Sequence, residues 1–302
     1  MIHDHGKLSR RSLLKMTSAA AGAAMLTSTG LARASAALLA APQKVVTKGR
    51  LKQSVCRWCY DSGKNKIPME DFARAVAEMG LVGIDLVGPA DWPILKKYGL
   101  ISTMNYGCGS LTEGVNHLDS HDKVEKQFLE TAPLVAREGW KNIICFSGNR
   151  RGISEEEGIS NCVTFFKRVV PAAEKLGVTL HFEYLNSKVD HKDYQFDHMN
   201  FGVEVAKRIN SPNFKILFDI YHVQIMEGDI IRFIKNYHQW IGHYHTGGNP
   251  GRHEIDDTQE LNYAAIARAI AETGYTGFMA HEFVPTRDPL TSLRQAVKLC
   301  DI

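Results

Sequence analysis

From Gln53 to the C-terminus, short apolar runs alternate with stretches of helical period, and that rhythm constrains the fold more than any other feature. Eight runs read as strands: Gln53–Cys56, Gly83–Val87, Ile101–Asn105, Asn142–Phe146, Thr179–Glu183, Phe214–Asp219, Ile241–His245 and Gly277–Glu282. Amphipathic stretches such as Met69–Met79, His121–Glu138, Glu155–Leu176, His198–Arg208 and Asn262–Thr273 lie between them. Gly80, Gly139, Gly177 and Gly274 each follow such a stretch, where a helix closes on a left-handed residue. Eight strand–helix units of about thirty residues predict an α/β fold, a (β/α)8 barrel in a single domain. A doubly wound open sheet would need a glycine fingerprint after its first strand, and Cys56-Arg57-Trp58-Cys59 is not one.

Residues 1–41 have a different character. Ser9-Arg10-Arg11-Ser12-Leu13-Leu14-Lys15 reads as a twin-arginine signature, followed by an uncharged Ala/Thr/Ser/Leu stretch from Met16 to Leu31 and two small-x-small sites at Ala32–Ala34 and Ala34–Ala36. The expectation is a cleaved Tat signal peptide over 1–41 and a barrel over 42–302. The Tat export machinery is then a partner, and the destination is the periplasm or the extracellular space. The stretch is too short for a span, so no stable membrane anchor is expected. The leader carries five basic residues and one acidic, which leaves 31 basic against 32 acidic beyond it. The formal +3 of the whole chain therefore belongs to the leader, and no nucleic-acid partner is expected. Six cysteines without a second Cys pair give no zinc site, and a protein folded before Tat export should not depend on disulfides.

The last four predicted strands each end on a potential metal ligand: Glu183, Asp219, His245 and Glu282. C-terminal strand ends converge on one face of such a barrel. Three carboxylates gathered there would repel one another, and a divalent cation resolves the conflict. A single strand-end carboxylate is ordinarily a cap; four in succession are not. Three oxygen donors with one imidazole suit Mn²⁺ or Mg²⁺, with Co²⁺ or Zn²⁺ also compatible.

The segments Glu183-Tyr184-Leu185-Asn186, Phe218-Asp219-Ile220-Tyr221-His222, His243-Tyr244-His245, Pro250-Gly251-Arg252-His253-Glu254 and His281-Glu282-Phe283 closely resemble the hydroxypyruvate isomerase family, within the xylose-isomerase-like sugar isomerases and epimerases. The resemblance implies a TIM barrel and a metal held by Glu183, Asp219, His245 and Glu282. It also implies proton transfer by Glu183 and Glu282, and substrate contacts by His222 and Arg252. His245 stands where bacterial hydroxypyruvate isomerases usually have Gln, and as ketose epimerases have it. The expected reaction is isomerisation or epimerisation, through an enediolate, of a small keto sugar or keto acid, with a homo-oligomer compatible. A lyase acting on 3-keto-glycosides with the same metal and base is the alternative. An endonuclease-like nuclease, disfavoured by the charge, and a non-catalytic sugar binder are further readings.

Overall fold

Apolar runs buried on both faces can only be parallel strands covered by helices, and nine of them line up in one parallel sheet. A computed structural model describes residues 44–302; the leader expected over 1–41 lies outside the described residues. The strands are β1 (Lys52–Cys56), β2 (Gly83–Asp85), β3 (Ile101–Ser102), β4 (Asn105–Cys108), β5 (Asn142–Cys145), β6 (Thr179–Glu183), β7 (Phe214–Asp219), β8 (Ile241–Thr246) and β9 (Phe278–His281). Helices α1 (Met69–Met79), α2 (Trp92–Lys97), α3 (His121–Arg137), α4 (Glu155–Leu176), α5 (Met199–Ile209), α6 (Ile220–Met226), α7 (Ile230–Tyr237), α8 (Tyr263–Glu272) and α9 (Pro289–Cys300) form the outer layer.

The sheet runs β3-β2-β1-β9-β8-β7-β6-β5-β4, so its two edges are neighbours in sequence. They are two halves of the third barrel strand, and the ring is a nearly closed TIM barrel. The expected continuous strand Ile101–Asn105 is thus corrected to two pieces. The cause lies in the fold: Thr103 turns its hydroxyl inward onto the Asp85 carboxylate, and Ser102 Oγ bonds the Met104 carbonyl. Around the break, Thr103 N donates to Ile84 O, Leu86 N to Met104 O, and the Asn105 and Asn142 side-chain amides tie to Asn142 O and Thr103 O.

The helices follow their sequence signals closely. α1 and α4 end on Gly80 and Gly177 in the left-handed conformation, and Ser154 caps α4 by accepting from Glu157 N. At the opposite end, Asp301 accepts from the backbone of Thr47, Lys48 and Gly49, which latches the chain's last turn to the segment leading into β1. All six cysteines are free and buried, as a fold independent of disulfides requires.

Candidate metal centre

Parallel register brings the four expected ligands to one level. Asp219 and His245 are direct cross-strand partners, Glu183 pairs with Leu217 of the same strand as Asp219, and Glu282 follows the last residue of β9 with its N–H on Thr246 O. His245 is one residue short of its strand's end. One donor atom from each of Glu183, Asp219, His245 and Glu282 lies within 4.8 Å of every other, and all four residues are buried.

Charge, not shape, is what this cluster has in excess. Burial, reinforced by Glu282 and Asp219, lifts the Glu183 carboxyl to about 7. Burial also raises Asp219, against the pull of Arg252. Glu282 goes the other way: the His245 and Arg252 charges and the Trp58 N–H outweigh its burial and hold it well below the usual range. Burial disfavours a charge on His245, yet Cys56, Glu282 and Asp85 raise its proton affinity well above that of an ordinary imidazole. The site calls for positive charge from whatever can supply it.

One atom shows the form that charge takes. His245 Nδ1 has no hydrogen-bond partner although it is fully buried. It lies 2.6 Å from Glu282 Oε2, 3.6 Å from Glu183 Oε1 and 3.8 Å from Asp219 Oδ2. The opposite nitrogen, Nε2, donates to Asp85 Oδ2 at 3.1 Å, so it is Nδ1 that would give up its proton and turn a lone pair toward the three carboxylates when a cation takes the proton's place. An imidazole nitrogen and three carboxylate oxygens converging on one point fit a divalent cation.

His222 and Arg252 join the same site. Asp219 accepts from Tyr221 N and His222 N, which starts α6 and sets His222 at its first turn. The His222 ring lies 2.6 Å from Asn186 Nδ2 and 2.7 Å from an Arg252 guanidinium nitrogen. Arg252 also donates to Asp219 Oδ2 at 2.7 Å and to Glu282, so it faces the ligands as well as the cleft where substrate contact is expected. Its aim comes from a tight return of the chain after β8. Gly248 donates to His253 O and accepts from Arg252 N, and a Cβ on Gly248 would stand 2.1 Å from the Glu254 carbonyl. Tyr263 bonds both the N–H and the carbonyl of Gly247, so the loop after β8 is clamped at its root.

A layer beneath the ligands was missed. Asp85 accepts from His245, from His243 at 2.7 Å, from Ser54 at 3.0 Å and from Thr103. Although burial opposes it, the two imidazoles keep this carboxyl ionised. An acid inside the apolar run Gly83–Val87 was the available signal. Tyr194 donates to the Glu183 carbonyl and accepts from Ser147 N, which buttresses that strand end. His191 lines the cleft.

Above the cluster opens a cavity of about 550 Å³ lined by Glu183, Glu282, His222 and Arg252 on one side and by apolar groups on the other. The family model of the xylose isomerase-like TIM barrel matches residues 93–301. The 2-oxo-tetronate isomerase of Haemophilus influenzae is 27% identical over 248 residues, 76% of this chain and 93% of that protein. A Danio rerio relative with the provisional name hydroxypyruvate isomerase is 32% identical over 119 residues, but the match covers 39% of this chain and 43% of that relative. The solved structure described as an AP endonuclease, family 2, from Brucella melitensis superposes with a TM-score of 0.71 at 23% identity, over 80% of this chain and 97% of its own, a likeness of fold. With most of its barrel matched and its strand-end residues converging as described, the chain belongs to the xylose isomerase-like TIM barrel family.

Proposed function

We propose that the protein is a metal-dependent isomerase or epimerase of a small keto sugar or hydroxypyruvate-like acid, with Glu183 and Glu282 as its proton-transferring groups. The observation that carries this reading is the unpartnered His245 Nδ1 facing three buried carboxylates at the floor of an open cleft. Glu183, Asp219, His245 and Glu282 would hold the cation, Mn²⁺ or Mg²⁺ by their donor chemistry. When bound, the cation supplies Lewis acidity toward neighbouring substrate oxygens.

The chain's own groups do the rest. Glu282 is held ionised by His245 and Arg252 and is the carboxylate set up to accept a proton. A cation among the ligands would offset the burial and the carboxylate repulsion that lift Glu183 without it, so both carboxylates would stand ionised and able to take up a proton. Arg252 and His222 border the cleft together and offer donors to the oxygens at a substrate's polar end. The apolar wall opposite keeps bulk water from the reacting carbon.

The test is solvent-label uptake. Protein loaded with Mn²⁺ and incubated in D₂O with a panel of keto sugars and keto acids should incorporate deuterium next to the carbonyl of at least one. Glu183→Gln and Glu282→Gln should each slow this by about a hundredfold, as expected for loss of a positioned general base. Wild-type rates in both variants would sink the reading. Release of a leaving group with little labelled starting material would instead identify the lyase alternative.

Export belongs to the same proposal, supported by Arg10-Arg11 and the uncharged stretch after them. Arg10→Lys with Arg11→Lys should retain the protein inside the cell with its lysate activity intact. Normal export of that variant would refute the Tat assignment.

A further inference from the structure

The cleft has two unlike walls, divided by chain order. Its polar side, with Glu183, Asp190, His222, Arg252 and Glu282, comes from the second half of the barrel. Its other side, with Trp58, Leu86, Tyr106, Leu111 and Phe146, comes from β4 and the loops after the first four barrel strands. Apart from the Tyr106 hydroxyl, this second wall offers sugar hydroxyls little to bond. The Trp58 N–H is taken by Glu282 Oε1, and the Ser110 hydroxyl by the Glu113 carbonyl. Tyr106 and Leu111 stand 50% and 42% exposed, among the few large hydrophobic side chains so exposed in the described residues. Exposed apolar side chains gathered at a cleft mouth mark a binding surface.

Size points the same way. A three- or four-carbon keto acid at close-packed density fills on the order of 100 Å³, and the cavity holds about 550 Å³. A substrate that small, seated on the polar floor, would leave the aromatic wall facing water.

We infer that the substrate is a keto sugar carrying an aromatic substituent, with its sugar ring on the polar floor and the substituent against Trp58, Tyr106, Leu111 and Phe146. This rests on the reading of the floor as a keto-sugar site. Rings of Trp, Tyr and Phe receive a flat apolar group by burial and by offset or edge contacts. The polar half orients the sugar; the apolar half selects what it carries.

Binding tests this apart from turnover. Phenyl β-D-glucoside and methyl β-D-glucoside, titrated calorimetrically into the Mn²⁺-loaded full chain, differ only in the substituent. The phenyl compound should bind at least tenfold more tightly. That ratio should fall toward one in Leu111→Asn and in Tyr106→Ser, both at solvent-exposed positions. Phenyl binding no tighter than methyl, including no detectable binding of either, overturns the inference, as does an unchanged ratio in both variants. Deuterium uptake from unsubstituted keto sugars with no phenyl preference would sink the substituent and leave the isomerase reading standing. Phenyl preference with no deuterium uptake from any keto compound would do the reverse.

Discussion

His245 faces the candidate metal ligands with one nitrogen and is held by the other. Asp85 determines which nitrogen carries the proton, because an ionised carboxylate can only accept. Partners of this kind typically contribute 10–100-fold to metal affinity. Asp85→Asn would present an amide N–H to His245 Nε2 and favour the wrong tautomer, so Mn²⁺ affinity should fall by about 10–100-fold, read by competition with a chromogenic chelator. Unchanged affinity would show that the ring is oriented by packing alone. The four candidate ligands were legible because acidic and imidazole residues at successive strand ends form a linear pattern. Asp85 was not, because its role depends on a partner 160 residues away in sequence. Arg252 was assigned to substrate by resemblance; its bonds to Asp219 and Glu282 follow from a left-handed turn that no spacing rule reveals.

The loop after β8 shows how one element is fixed by another. Glu254 accepts from Thr286 N at 2.9 Å, Thr286 Oγ1 at 2.8 Å and Ser292 Oγ at 2.8 Å, and so pins this loop to the entry of α9. Burial would raise its carboxyl, but these bonds bring it down to about 2. A depressed carboxylate stabilises the fold above its unfolded pKa of about 4.3, and that contribution disappears as pH falls through about 2. Glu254→Gln should therefore cost about 1–3 kcal/mol in urea unfolding at pH 7, the usual penalty for a lost charged hydrogen bond. The gap to wild type should narrow at pH 2.5. A gap independent of pH would mean that shape, not charge, carries the contact. Helices α1 and α4 were readable to the residue because an apolar face and a terminal glycine are local signals. The third strand was not, because the bond from Thr103 to Asp85 that breaks it joins different strands.

For the molecule as a whole, three carboxylates buried together, offset only by Arg252 and His245, oppose folding, and a cation bound among them would relieve that cost. A ligand bound only by the native state at a hundred times its dissociation constant adds about 2.7 kcal/mol. For a chain of this size that corresponds to a rise in Tm of about 5 °C. Mn²⁺ should raise the melting temperature of the chelator-stripped protein by that amount, and Asp219→Ala should abolish the shift. An equal shift in the variant would place the cation elsewhere.

The break between β3 and β4 gives the barrel the mechanics of a split ring. A fully laddered barrel couples every strand to every other, so widening its mouth anywhere strains it everywhere. Here the third position is bridged by the Asn105 and Asn142 amides and a few loop bonds, which form a compliant joint in an otherwise stiff hoop. The joint lies beside Tyr106 and Leu111, while the ligand-bearing strands β6 to β9 are each paired to the next, with one register shift between β7 and β8. The gape of the apolar wall can therefore adjust to a bulkier guest while the spacing of the four cation-facing side chains stays fixed.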